Sequence, residues 1–262
     1  MKKTGKRLLA AMLLFCTILI GAAGYEVMAA DEAQSTESTS GTVNSADDLP
    51  GKRIGVQLGT TGDIYVSDYE SDGSGTVVER YNKGADAIQA LKQGKIDCVV
   101  IDEQPAIKFV EQNTGIRILD EEFTLEDYAF VVAKSNTELL DKVNSALEKL
   151  EADGTIANIQ KNYIGTADEI GKFPYESKDV SHENGTLTVG TNAEFPPYES
   201  YEDGQIVGID MDIMRAVSDE LGMELKIEDM AFDSIIPAIS TGKVDIGAAG
   251  FTVTEERKKN VN

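Results

Sequence analysis

The hydrophobic pattern of this chain switches repeatedly between a strand period and a helix period. Residues 52–58 (KRIGVQL) read as a short strand running into a Gly59-Thr60-Thr61-Gly62-Asp63 loop. A helix follows over 85–93, then a buried strand over 96–101 and a helix around 105–112. Residues 123–134 form another extended run, and 137–163 read as two helices split at Asp153-Gly154. A second region repeats the plan: strand 187–191, a turn with Pro196-Pro197, helix 210–221 stopped by Gly222, strand 224–227, helix 234–240 and strand 244–248. Strands alternating with helices imply an α/β fold with parallel sheets.

The two regions carry an internal repeat. AIQALKQGKID (87–97) and IIPAISTGKVD (235–245) align without gaps at an offset of 148 residues. Each has an apolar helix face, a Gly-Lys stop, and a β-branched residue with Asp that opens a strand. A generic helix-to-strand join also produces such matches, but two related lobes account for the whole pattern, and two lobes imply a cleft between them.

Outside these regions the pattern fades. Residues 31–48 (DEAQSTESTSGTVNSADD) offer almost nothing to bury and predict a flexible tether. Residues 166–185 read as a linker, in which the lone His182 is expected to be solvated. At the N-terminus Lys2, Lys3, Lys6 and Arg7 precede an apolar run over 8–24, followed by Val27-Met28-Ala29-Ala30. This predicts a secretory leader over 1–30, cut after Ala30, with an uncleaved anchor as the alternative. Export to the cell surface or periplasm follows. Cys16 follows a bulky Phe15, which argues against a lipid anchor there, and a cut after Ala30 leaves Cys98 without a disulfide partner.

Composition removes several function classes. Among 262 residues, 46 acids against 24 bases give a net charge of −22, which repels phosphate backbones and argues against nucleic-acid binding. Two cysteines and one histidine provide neither a metal-ligand cluster nor a His-based catalytic triad, so no metal or cofactor is expected.

Ligands of α/β sheets sit beyond the carboxyl ends of the strands. Gly59-Thr60-Thr61-Gly62 and Asp102 lie there in the first region; Asn192, Phe195 and Ala249-Gly250-Phe251-Thr252 lie there in the second, with Phe232 just before a helix. Thr254 is placed to cap a last helix carrying Arg257. Gly/Thr loops present backbone N–H groups to a carboxylate, and an arginine fork can grip it through two parallel bonds. Asp102 can neutralise an ammonium, and Phe195 and Phe232 can flank a side chain. The set suits an α-amino acid zwitterion, although each residue singly also fits a structural role.

GTNAEFPPYESYEDGQIVGIDMDIMRAV, MAFDSIIPAISTGKVDIGAAGFTVTEERKK, LPGKRIGVQLGTTGD and KVNSALEKLEADGTIANIQKNYIG resemble extracellular solute-binding proteins of polar amino-acid ABC transporters (family 3). The resemblance covers residues 46–262. It implies a two-lobed periplasmic-binding-protein type II fold that closes on its ligand like a hinged clamp. It also implies that Arg257 and the Thr252 amide hold the α-carboxylate with help from Thr60 and Thr61. Asp102, the Gly250 carbonyl and the Thr252 hydroxyl would hold the ammonium, with Phe195 and Phe232 on the side chain; Ala249 belongs to the ligand-binding set, as does Asn192, which stands where relatives often carry an acid. The segment order departs from the family: the GVQLGTTGD segment precedes TNAEFPPY. The chain therefore reads as circularly permuted or truncated, with no strand before Asp48 or after Asn262 to serve as a second hinge. The expected divisions are 49–134 as a lobe-2-like domain, 135–165 as helices packing on lobe 1, and 186–262 as an incomplete lobe-1-like domain.

The function expected is a monomeric receptor that captures an L-amino acid and delivers it to a membrane permease. The alternatives are a ligand-sensing clamp of a signalling system and a non-binding fragment of a tandem protein. An enzyme is disfavoured, since Glu194 is the single obvious cleft acid beyond Asp102.

Overall fold

The computed structural model describes residues 42–262 and the backbone of 23–30. In chain order the elements are β1 (Ala23–Ala30), β2 (Arg53–Gln57), α1 (Thr61–Ser67), β3 (Val77–Tyr81), α2 (Gly84–Lys92), β4 (Cys98–Asp102), α3 (Glu103–Gln112), β5 (Ile116–Glu126) and β6 (Tyr128–Val132). They continue as α4 (Thr137–Ala152), α5 (Thr155–Ile164), β7 (Thr186–Thr191), β8 (Glu194–Phe195), β9 (Glu199–Glu202), β10 (Gln205–Val207), α6 (Ile209–Leu221), β11 (Glu224–Asp229), α7 (Phe232–Ser240), β12 (Ile246–Thr252) and α8 (Arg257–Asn260).

Two sheets organise the chain. One has the order β3-β2-β4-β1-β5, the other β11-β7-β12-β6, and a small β10-β9-β8 sheet borders the second. In each large sheet the first three strands are parallel and the fourth is antiparallel, so β1 occupies the slot in its sheet that β6 occupies in the other. The internal repeat has a physical basis in this plan. Gly94 and Gly242 take positive φ (68° and 72°) to stop α2 and α7. The aspartate that follows then clamps the second strand in the order of its sheet: Asp97 N–H donates to the Arg53 carbonyl and its Oδ2 accepts the Arg53 N–H at 2.8 Å. Asp245 does the same to Thr188, also at 2.8 Å.

Burial follows the pattern. Helices α4 and α5 pack on α6 through Val143, Leu147, Leu150, Ile156 and Ile159. Cys98 is fully buried in β4, and burial pushes its thiol up to about 12, disfavouring the thiolate. The 166–185 segment is pinned to α6, because the Tyr175 hydroxyl and the Lys178 N–H both donate to Asp219. His182 lies 3.4 Å from the same carboxylate, partly exposed.

Several expectations need correction. The chain passes from one sheet to the other at Asp127, inside the 123–134 run; the lobe boundary lies there and not at 134, since the extended pattern continues unbroken through the crossing. The Gly59–Asp63 loop is half helix, because the Thr60 hydroxyl accepts the Asp63 N–H and starts α1 at Thr61. Ala249, Gly250 and Thr252 lie on β12 and not after it, and Phe232 is the first residue of α7. The edge strand β3, largely exposed, and the β8–β10 ribbon, made of strands of two to four residues, escaped the pattern.

The largest correction concerns residues 23–30. Residues 1–22 of the expected leader and 31–41 of the expected tether lie outside the described residues. Ala23–Ala30, assigned above to that leader, forms β1, hydrogen-bonded to β4 on one side and β5 on the other. A strand does therefore precede Asp48 in the position where none was expected. The apolar run before it masks a short strand whose partners lie some 70–100 positions away in sequence. The tether also ends early, since Val43 and Leu49 are buried against Ile54, Val56 and Leu119. Among the described residues no helix is long and apolar enough to cross a membrane.

Removing an interior strand leaves two rows of backbone groups without partners. A chain starting at Asp31 is therefore expected to melt well below one starting at Ala22, or not to fold cooperatively. Thermal melts of the two chains check this.

Candidate functional site

The ten residues expected at the site come together around one closed cleft between the lobes. Arg257, Thr252, Gly250, Ala249, Asp102, Thr60, Thr61, Asn192, Phe195 and Phe232 all line it, joined by Gln57 and Glu199. The cavity at its centre is about 10 Å³, room for a single water, so an amino acid would require the lobes to part.

Arg257 is held at both ends of its fork. Nη1 donates to the Thr252 carbonyl at 2.8 Å and Nη2 reaches across to the Gly59 carbonyl at 3.1 Å. Its guanidinium also lies 5.4 Å from the ring centres of Phe232 and Phe251, which stack on each other 4.7 Å apart. The helix carrying it is a single turn, tied down because the Thr254 hydroxyl accepts the Arg257 N–H. Phe232 thus steers the arginine as much as it lines the cavity.

A carboxylate knots the lobes beside it. Glu126, the last residue of β5 before the crossing, accepts hydrogen bonds from the Thr61 hydroxyl of one lobe (2.9 Å) and the Thr252 hydroxyl of the other, and these hydroxyls are 3.3 Å apart. The Tyr65 hydroxyl is pushed up to about 12 by burial and its hydrogen bond to Glu126. Across the cleft, the Gln57 amide donates to the Asn192 side-chain oxygen at 2.8 Å, and Asn192 donates to the Met230 carbonyl. Lys83 and Glu194 form an ion pair between the lobes at the rim; Glu194 faces this lysine and is absent from the cavity wall.

The floor is aromatic and acidic. Tyr198 stacks on Phe195 at 5.9 Å and meets Tyr128 edge-on at 5.2 Å, while the Tyr128 hydroxyl donates to Asp102. Gly250 takes φ 54°, and a Cβ there would sit 3.0 Å from the Phe195 ring, so glycine is required for Phe195 to close over it. The Gly250 N–H donates to Asp210 at 3.1 Å. Burial pushes the Asp210 carboxyl up to about 7, with that N–H opposing the shift. Glu199 is fully buried and raised well above the usual carboxylate range by burial and then by the fields of Asp210 and Asp102. Among the described residues no group of His, Cys, Asp and Glu is arranged to hold a metal ion.

Sequence reasoning missed Gln57, Glu126, Tyr128, Glu199 and Asp210. Gln57 was within reach, being the last residue of a strand that points into the site. Glu199 and Asp210 depend on a ribbon that the pattern did not reveal.

Comparison with known proteins adds a second kind of observation. Residues 74–166 and 187–262, more than half of the chain, match the sequence profile of the bacterial extracellular solute-binding proteins, family 3. Over 79 residues, 30% of this chain and 26% of the relative, the sequence is 44% identical to an arginine-binding protein of Corynebacterium glutamicum. Over 135 residues, 51% of this chain and 50% of the relative, it is 30% identical to an L-cystine-binding protein of Escherichia coli K12. An ancestral arginine-binding protein solved with arginine bound is similar at a TM-score of 0.47 and 36% identity, over 55% of this chain and 61% of that one. The chain spans half or less of the length of these two curated relatives.

Because the folded Asp210 carboxyl sits at about 7 against about 3.9 unfolded, its raised value favours the protonated folded state. That contribution is complete below about pH 4 and is lost as pH rises through the folded value. Asp210→Asn is expected to flatten this part of the stability profile, as read by thermal melts across that pH range.

Proposed function

The chain belongs to the bacterial extracellular solute-binding proteins, family 3, and from that premise we propose that it is a receptor that clamps an α-amino acid between its lobes. It passes this ligand, as a monomer, to the permease of an ABC importer. The observation that carries the reading is the convergence on one interlobe cleft of an oriented guanidinium, Thr hydroxyls, a buried aspartate and two phenylalanines. The named relatives bind arginine and L-cystine, and the part those ligands share is the α-amino acid head. In this reading Arg257, Thr252, Thr60 and Thr61 take the carboxylate. Asp102 with Gly250 and Ala249 takes the ammonium, and Asn192, Phe195 and Phe232 surround the side chain. Capture needs no cofactor and no catalytic residue.

We read the segment order as a circular permutation. The placement of β1 opposite β6 supports this, since each sheet then keeps its antiparallel strand whatever the order of connection, and folds with surface termini tolerate such reordering. The leader then occupies the chain before β1, and the protein works outside the cytoplasm.

Calorimetry with a panel of amino acids tests the function: saturable binding without turnover is expected. Arg257→Ala and Arg257→Lys are expected to weaken binding by roughly 30- to several-thousand-fold, the effect of about 2–5 kcal/mol for truncating a desolvated charge pair. The melting temperature should change little. A variant that binds within threefold of the parent would remove the arginine from the site. Asp102→Asn should weaken amino acids far more than the matching deaminated acids, and equal losses for both would remove its ammonium role.

A further inference from the structure

We propose that Glu126 is a resident competitor for the ligand. In the closed, empty cleft its carboxylate fills the place on the Thr61 and Thr252 hydroxyls that a ligand carboxylate must take, and so sets how tightly an amino acid binds. This rests on the reading of the cleft as an amino-acid site and adds how that site is regulated.

The crossing between the sheets places the acid. Glu126 ends β5, and the carbonyl of Asp127 after it accepts the Val253 N–H at 2.9 Å, just past β12. Tyr128 then pairs with Thr252 in the β12–β6 ladder. The backbone of Glu126 therefore passes beside Thr252 of one lobe, while its side chain reaches Thr61, the first residue of α1 in the other. Its Oε2 accepts from both hydroxyls, from Thr61 at 2.9 Å and from Thr252.

A threonine hydroxyl has one proton to donate. Glu126 takes both protons, and the 3.3 Å between the two hydroxyl oxygens leaves no space for another acceptor between them. An α-carboxylate arriving here meets two donors already spent and a negative charge in the seat it needs, so it binds only if Glu126 withdraws. Other contacts across the cleft act differently. Gln57 to Asn192 and Lys83 to Glu194 join the lobes without using either hydroxyl. Arg257 gives one arm of its fork to the Gly59 carbonyl, a neutral acceptor that a charged one outcompetes. Glu126 holds its donors with a full charge, which makes it the contact hardest for a ligand to displace.

The acid has a partner to withdraw to. The Tyr65 hydroxyl of α1 also bonds Glu126, and this ring, packed on Phe123 at 6.2 Å, is 36% exposed. Swinging towards Tyr65 keeps Glu126 hydrogen-bonded and brings it to solvent, so its displacement strands no buried charge. One carboxylate then leaves the hydroxyls as another arrives. Until it does, the cleft closes over the protein's own carboxylate, and the apparent affinity for an amino acid falls with the fraction of chains so occupied.

The test is calorimetry on the full chain and on Glu126→Gln and Glu126→Ala. The probes are a panel of the common amino acids, with agmatine and histamine, which are arginine and histidine without their carboxylate. Both variants are expected to bind amino acids more tightly than the parent, on the order of tenfold for Glu126→Ala and less for Glu126→Gln, which keeps a neutral acceptor. The two amines call on neither hydroxyl and are expected to change by less than about threefold. Unchanged or weaker amino-acid binding in both variants overturns the proposal, as does an equal gain for the amines. Should neither variant fold, stopped-flow tyrosine fluorescence on the parent chain decides. A binding rate that levels off at high amino-acid concentration is expected, because withdrawal of Glu126 comes first, and a rate that rises linearly throughout overturns the proposal. If amino acids bind the parent in an Arg257-dependent way and the Glu126 variants bind no more tightly, this proposal fails while the receptor reading stands. If no amino acid binds any of the three chains, both fail.

Discussion

Closing this cleft buries carboxylates in a chain that already carries a net charge of −22, and each of them must find a partner. Glu126 is met by hydroxyls from both lobes, Asp102 by the Tyr128 hydroxyl, and Asp210 by the Gly250 N–H. The partners of Glu126 and Asp102 join the two sheets, so these acids are satisfied only when the lobes and the crossing segment are in register, whereas Asp210 is met within its own lobe. The acidic composition, which in the sequence is only a reason to exclude polyanions, thereby becomes a device that couples closure to site geometry.

Arg257 completes this arrangement. A guanidinium bonded to one carbonyl of each lobe and flanked by two phenylalanine rings is positioned before any ligand arrives. A pre-oriented fork loses less freedom on binding a carboxylate than a solvated one. The Gly59 contact must break as the lobes part, since Gly59 follows β2 in one lobe while Arg257 and Thr252 belong to the other. In the proposed reading, capture is an exchange in which a ligand carboxylate takes the place of the Gly59 carbonyl on the Arg257 fork.

The two sheets impose the second constraint. Asp97 and Asp245 clamp equivalent backbones, and Gly94 and Gly242 stop equivalent helices, so the repeated peptide is one folding solution used twice. The antiparallel strand of each sheet arrives from elsewhere in the chain: β6 across the Asp127 crossing, β1 from the N-terminal side. Sheets of this plan constrain which strands are neighbours, not the order in which the chain visits them. That is the physical reason an unusual segment order is compatible with an ordinary pair of lobes.

What the sequence by itself determined was local and periodic. The helix faces of α2, α4, α5, α6 and α7, the buried strands β4 and β7, and the glycine stops all follow from side-chain spacing and backbone freedom, which neighbouring residues control. The strand-end rule gathered eight of the ten residues that do line one cleft, because parallel strands deliver their carboxyl ends to a common edge; Phe232 and Arg257 come from helices. Only the tertiary structure decided the rest. Residues 23–30 have the hydropathy of a leader's end, and their role as a strand exists in the hydrogen bonds to β4 and β5. Glu199 reads as one acid among many in YESYED until its opposition to Phe195 and its burial against Asp210 give it a neighbourhood. Charge is written in the sequence, but the desolvation that gives a charge its chemistry is set by what the fold places around it.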